Sequence, residues 1–138
     1  MIVVFDASSF VSAALKTNSI PERALLRAVT WPDRLILSRA VEDEYREVIF
    51  RPKFDRFVSL ARRSLILDIA IVAAQRIEPR ETVRECRDPK DDKYLELAAA
   101  GSADVLVSSD IRHLLSMNPW RGIRILSPAA FLSLPTRP

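Results

Sequence analysis

The chain has 138 residues, of which 49% are apolar, and this is the size of a single domain with a real hydrophobic core. Its net charge of +3, from 21 basic and 18 acidic residues, gives only weak support for nucleic-acid binding. Two glycines exclude a Gly-rich phosphate loop, one cysteine excludes an internal disulfide and a multi-cysteine zinc site, and no apolar stretch is long enough for a membrane span. Met1 leads directly into an apolar strand without a basic leader, so we expect a soluble cytoplasmic protein.

The first predicted element is a buried strand that ends on an aspartate. Residues 1–5 are apolar and rich in β-branched and aromatic side chains, which is typical of a strand covered on both faces in a parallel sheet. Asp6 follows it. A helix is then predicted up to residue 15, with Ser8 or Ser9 as its N-cap.

The middle of the chain continues the alternation of helix and strand. A second strand is predicted over residues 34–38, and Ser38 caps a helix that Pro52 ends. A long helical stretch is predicted over residues 54–75, either as one helix or as two that meet near Ser59, and its segment 64–72 is apolar on more than one side. That pattern indicates a covered helix, packed either against a second copy of the chain or inside the domain.

The last third repeats the pattern of the beginning. A short edge strand is predicted around Ile77, and a charged turn over residues 86–92 starts a helix that ends at Gly101. Residues 104–110 resemble the first strand, with β-branched residues, a small polar pair and an aspartate. A short helix containing His113 is predicted next, and a last strand and helix follow.

This alternation predicts an α/β fold. We expect one domain over residues 1–138, a three-layer α/β/α sandwich with a mainly parallel central sheet.

Several acids fall where ligands usually bind in such folds. Parallel strands end at the same edge of a sheet, so Asp6 and Asp110 are expected to lie close together. Glu44 lies in the second turn of the helix that follows the second strand. The acids at the start of a later helix are Asp88, Asp91 and Asp92. That helix reaches the same edge only if the loop before it returns there.

Converging carboxylates would raise one another's pKa, and a cation would restore the balance. Oxygen ligands without histidine or thiolate fit Mg²⁺ or Mn²⁺, the ions of nucleases and other phosphoryl hydrolases. Each acid also has a structural alternative. Asp6 and Asp110 would serve as helix caps, Glu44 as a solvated acid, and the three aspartates of the later helix as a charged turn.

Four motifs in order resemble the PIN domain family. They lie in residues 3–13, 37–54, 86–98 and 103–110, and so span nearly the whole chain. The sequence is similar to the group of VapC-like toxins of toxin–antitoxin systems, although PIN domains also serve in RNA processing and decay.

The resemblance implies a set of catalytic, metal-facing acids at Asp6, Glu44, Asp91 and Asp110. Asp43 matches less well than Glu44, because Tyr45 and Val48 fix the phase of the helix. The candidates for a supporting role are Ser8, Asp88, Asp92 and Ser108. Ser8 departs from the asparagine that the family often has at this position.

The resemblance also implies the chemistry and the partners. A Mg²⁺- or Mn²⁺-dependent ribonuclease would hydrolyse RNA phosphodiester bonds without a covalent nucleophile. We also expect a cognate antitoxin protein as its partner, a homodimer as its oligomeric state, and no association with a membrane.

Other polar and aromatic residues have two interpretations each. The candidates for holding the RNA backbone are Arg39, Arg46, Arg51 and Lys53, and the alternative is a solvated face with intrahelical ion pairs. Phe54, Trp31 and Trp120 would stack on bases or, more simply, pack in the core and turns. His113 and Cys86 are interpreted as packing residues rather than as a base or a redox group.

Three competing hypotheses fit the sequence less well. A haloacid-dehalogenase-type phosphatase needs a second aspartate two residues after Asp6, where Ser8 stands. A receiver domain needs an acidic pair at the first strand and a lysine near the end of a late strand, and neither is found. A non-catalytic RNA- or protein-binding module on a PIN fold is the third, and the full set of four acids argues against it.

Overall fold

A computed structural model describes residues 1–136. Its five strands are β1 (Ile2–Phe5), β2 (Arg34–Leu37), β3 (Gln75–Arg76), β4 (Val105–Val107) and β5 (Arg124–Leu126). All pair in parallel, in the order β3-β2-β1-β4-β5. The α/β class with a parallel central sheet is confirmed, and the sheet is entirely parallel rather than mainly so.

Six α-helices flank the sheet. They are α1 (Ala7–Leu15), α2 (Ile20–Ala28), α3 (Arg39–Ile49), α4 (Leu60–Ala73), α5 (Asp92–Ala100) and α6 (Pro128–Leu132). The chain moves from β1 outwards to β3 and then crosses back to β4. Because parallel crossovers are right-handed, this reversal puts α5 on the face opposite α1 to α4. Among residues 1–136, no helix is long and apolar enough to cross a membrane.

The strands are short and apolar because both faces of the sheet are covered. Val3, Val4 and Phe5 are fully buried, and so are the three residues of β4. The ring of Phe5 meets Phe131 of α6 edge-on, with 6.4 Å between the ring centroids. Phe5 also pairs with Val107, so β1 and β4 end side by side.

Most predicted helix starts are confirmed, with one shift. Ser38 caps α3 as predicted, its hydroxyl accepting a hydrogen bond from the Val41 backbone N–H. Helix α1, however, begins at Ala7 and is capped by Asp6 rather than by Ser8 or Ser9. A carboxylate at this position accepts the free backbone N–H groups of the first turn and faces the positive end of the helix dipole.

Two predictions for the helices are wrong. The expected helix around His113 is a turn followed by the short 3-10 helix Leu115–Met117. The Asp110 carboxylate caps the turn, but the Leu115 N–H bonds to the Asp110 carbonyl, five residues back, where an α-helix would bond it to residue 111. Helix α4 is also not sandwiched inside the domain. Leu65 and Val72 are 55% and 85% exposed, so one side of this helix is open to solvent in the single chain.

Candidate functional site

A cleft of about 470 Å³ opens at the carboxyl ends of the central strands. It lies where the strand order reverses, between β1 and β4, which is the usual ligand position in an open α/β sheet. The acids that line it are Asp6, Glu44, Asp91 and Asp110. The loop before α5 therefore does return to this edge, and the structure brings together the four acids that the resemblance singles out.

Asp6 is the most buried of the four, with 4% of its surface exposed. One carboxylate oxygen accepts hydrogen bonds from the Ser9 backbone N–H at 2.8 Å and from the Ser8 hydroxyl at 3.0 Å. The other accepts one from the Ser108 hydroxyl at 2.5 Å. Burial raises the pKa of Asp6 above its ordinary value, and the bonds from Ser108 and Ser9 only partly offset this. Asp6 is thus both a helix cap and a wall of the cleft.

Two buried tyrosines hold the backbone on either side of Asp6. The Tyr45 hydroxyl donates to the Phe5 carbonyl at 2.6 Å, and the Tyr94 hydroxyl accepts from the Ala7 N–H at 3.1 Å. Burial raises the pKa of both hydroxyls. Nothing in the spacing of these tyrosines along the sequence reveals the hydrogen bonds they make.

Glu44 projects into the cleft from α3 because Tyr45, the next residue, is directed into the core. Its carboxylate lies 3.2 Å from the ammonium group of Lys93 on α5. Asp43 is exposed and does not line the cleft. The phase argument for Glu44 over Asp43 therefore agrees with the geometry, whereas the contact with Lys93 was not foreseen.

The three aspartates around the start of α5 lie in different positions and have different partners. Asp91 lines the cleft, and burial together with the charges of Asp88, Asp6 and Asp110 raises its pKa to about 6. Asp92 points away. Its carboxylate accepts the backbone N–H groups of Cys86 at 2.8 Å and Glu85 at 3.2 Å, and so holds the loop.

Asp88 and the lone histidine lie beside Asp91. Asp88 caps the 3-10 helix Pro89–Asp91 by accepting the Lys90 backbone N–H at 3.0 Å. One ligand atom from each of Asp88, Asp91 and His113 lies within 4.8 Å of the others. Sequence reasoning missed His113 as a site residue, although its position three residues after a strand-terminal aspartate was a usable signal.

Ser108 and the hydrogen bonds of Asp110 join the two central strands. Besides donating to Asp6, the buried Ser108 hydroxyl accepts the Asp110 backbone N–H at 3.0 Å. One Asp110 oxygen accepts the N–H groups of Arg112 and His113, and the other lies 2.7 Å from Nδ1 of His113. Ser108 thus supports two acids at once, as a short polar side chain between adjacent strand ends would.

The four predicted RNA-contacting cations divide into two pairs. Arg51 and Lys53 line the cleft together with Phe54. Arg46 forms an exposed ion pair with Glu42 at 2.9 Å, and Arg39 is exposed, and neither lines the cleft. For Arg46 the geometry agrees with the alternative of an intrahelical pair on a solvated face, and Arg51 forms such a pair as well, with Glu47 at 2.7 Å.

Of the aromatic candidates and the cysteine, Trp31, Trp120 and Cys86 do not line the cleft. Trp120 and Cys86 belong to the hydrophobic core, which agrees with packing. Trp31 is 79% exposed at a distance from the cleft residues, next to the end of α2. Only Phe54 among the three aromatic candidates lies at the site.

The donor set at this edge suits a hard divalent cation. Carboxylate oxygens face the cleft from four elements, with one imidazole nearby and no thiolate. Burial, and then the negative charges of Asp88, Asp6 and Asp110, raise the pKa of Asp91, while Lys93 pairs with Glu44. A cation among these oxygens would relieve that repulsion.

Comparison with known proteins agrees with this arrangement. No curated protein matches the chain at a significant level. A sequence profile of the PIN domain matches residues 2–112, which include β1 to β4 and all four acids of the cleft. The chain therefore belongs to the PIN domain family, whose members are generally nucleases.

Proposed function

We propose that this chain is a Mg²⁺- or Mn²⁺-dependent endoribonuclease with Asp6, Glu44, Asp91 and Asp110 as its catalytic and metal-holding residues. The observation that carries the proposal is their convergence in one cleft at the reversal point of the sheet. Asp88 and Ser108 would support them from adjoining positions, and Ser8 through its bond to Asp6.

The carboxylates would hold the cation, and other side chains of the cleft would bind the RNA. When bound, such a cation withdraws charge from a phosphodiester and makes water a better nucleophile at neutral pH. Arg51 and Lys53 at the other side of the cleft would bind the flanking phosphates, and Phe54 would offer an aromatic face to an unpaired base. Glu44, held by Lys93, is kept oriented towards the cleft.

The direct test is RNA cleavage by purified protein across a series of divalent ions. We expect cleavage with Mn²⁺ or Mg²⁺, its loss in EDTA, and its return when the ion is restored. Addition of Mn²⁺ to metal-stripped protein should also raise the melting temperature, by the equivalent of about 2.7 kcal/mol at a hundredfold excess over Kd. RNA binding without cleavage under every ion would instead favour the non-catalytic binding module.

We further propose that the nuclease is the toxin of a toxin–antitoxin pair, on the strength of its resemblance to VapC-like proteins. Expression should arrest growth, and co-expression of a cognate antitoxin should restore it. Cleavage without any growth arrest would favour an RNA-processing nuclease outside a toxin system.

A homodimer is part of the same proposal, and the exposed side chains of Leu65 and Val72 on α4 support it. Light scattering in solution tests it.

A further inference from the structure

His113 is the only histidine in the chain, and it lies against the acids of the cleft rather than on a free surface. Its Nδ1 is 2.7 Å from Oδ2 of Asp110 and 4.0 Å from Oδ2 of Asp91. An ionised carboxylate only accepts hydrogen bonds, so Nδ1 is the donor in the contact with Asp110. The tautomer of the ring is thereby assigned.

The Asp110 carboxylate is bound on both oxygens. Oδ1 accepts two backbone N–H groups, from Arg112 at 3.1 Å and His113 at 3.2 Å. Those two bonds restrain Oδ1, and neither of them contacts Oδ2. The imidazole is the side chain that restrains Oδ2, and it is in turn held by the turn that Asp110 itself closes.

We propose that His113 is a positioning residue that orients the Asp110 carboxylate for the cation. The inference rests on the proposed function, because it requires a divalent ion at the four acids. Hydrogen-bonded partners of metal-binding groups fix the orientation of those groups, and their loss typically costs 10- to 100-fold in metal affinity or activity. His113 fits that role by distance, by direction and by its place on the same turn.

The test is Mn²⁺ affinity of the full chain, measured by electron paramagnetic resonance on metal-stripped protein. His113→Ala should weaken Mn²⁺ binding by about 10-fold or more. His113→Asn should retain most of the affinity, because its amide N–H₂ occupies nearly the position of Nδ1. His113→Gln, whose amide mimics Nε2 instead, should not. Ribonuclease activity should follow the same order.

Arg112→Ala is the matched control, since Arg112 is exposed on the same turn and contributes only its backbone N–H to Asp110. It should leave the Kd for Mn²⁺ unchanged. Melting temperatures in EDTA confirm that each variant is folded before metal is added.

The outcomes separate the proposal from its alternatives. Unchanged affinity in His113→Ala would overturn the positioning role while leaving the proposed nuclease intact. Retained affinity in His113→Gln, with loss in His113→Asn, would identify His113 as a direct ligand together with Asp88 and Asp91. Tighter binding in His113→Ala would show that the imidazole obstructs the ion. A wild-type chain that neither binds Mn²⁺ nor cleaves RNA would overturn the proposed function and this inference together.

Discussion

Two buried aspartates lie at opposite ends of the strands of the central sheet, and they differ in the groups that they bind. Asp33 lies just before β2 and is 5% exposed, and Asp6 lies just after β1 and is 4% exposed. Asp33 receives the Met1 amino group at 2.8 Å and the Arg27 guanidinium at 2.9 Å. Asp6 receives hydroxyl and amide groups, and within residues 1–136 it forms no ion pair.

The comparison distinguishes a carboxylate that the chain pairs with its own cations from one that it leaves without an ion pair. A buried charge is costly unless it is paired, and at Asp33 the chain supplies both cations itself. At Asp6 the chain supplies dipoles alone, and burial raises the pKa of its carboxyl; burial together with the charges of nearby acids raises the pKa of Asp91. Within residues 1–136 no cation pairs with Asp6, and Lys93 pairs with Glu44, which is the physical reason to expect an external cation there.

The largest expected effect is on catalysis, from Asp6→Asn. The asparagine still accepts the Ser9 N–H as an N-cap but no longer contributes charge to a cation. We expect RNA cleavage to fall about 1,000-fold or more, since the lost charge stabilisation amounts to several kcal/mol. The melting temperature in EDTA should stay the same or rise, because an unpaired buried charge is removed. A variant that fails to fold would show that Asp6 serves the helix alone.

The next largest effect is on stability, from Asp33→Asn. This substitution leaves Arg27 and the Met1 amine without their partner, and removal of one member of a buried pair typically costs about 3–5 kcal/mol. Denaturant unfolding should show that loss, with cleavage per folded molecule retained. Asp104→Asn is the control. Asp104 also precedes a strand and accepts the Ile2 N–H at 2.7 Å, but it is exposed, and it should cost under about 1 kcal/mol. Equal losses in the two variants would contradict the distinction.

The smallest effect is a pH dependence of stability without metal. The pKa of Asp91 is raised from 3.8 to about 6 in the folded protein, so the folded state holds this proton more tightly than the unfolded state. Stability from this group is therefore present below about pH 4 and is lost as the pH rises through 6. In EDTA, the melting temperature of the wild-type chain should fall by about a few degrees as the pH rises from 4 to 6. Asp91→Asn should remove this fall.

The exposed acid Asp43 provides the comparison for that experiment. Asp43→Asn should leave the wild-type slope unchanged, because this side chain lies outside the cleft. A slope that persists in Asp91→Asn would assign the titration to another group.

The features predicted correctly from the sequence are those that local pattern and topology determine together. Apolar runs ending on Asp6 and Asp110 identify buried parallel strands, and parallel strands must end at one edge. The phase of Glu44 follows from Tyr45, because one buried position on a helix fixes the direction of its neighbours.

The features that were missed depend on the path of loops. Asp88, Asp91 and Asp92 have the same local chemistry, and their roles separate only because the loop before α5 brings the Glu85 and Cys86 amides to Asp92. The turn at His113 replaces a helix because the Leu115 N–H bonds to the carbonyl of Asp110 and not to that of residue 111. Such hydrogen-bond choices are not visible in residue periodicity.

The bond between Ser108 and Asp6 has a consequence for biosynthesis. It joins residues 102 positions apart, and it forms only once β4 has paired with β1. A growing chain carries Asp6 and Glu44 early in synthesis, but it lacks Asp91, Asp110 and the strand that supports them. Long-range contacts of this kind form late, after the intervening chain has been ordered. The cleft with its four acids is therefore complete only after nearly all of the sheet has been made.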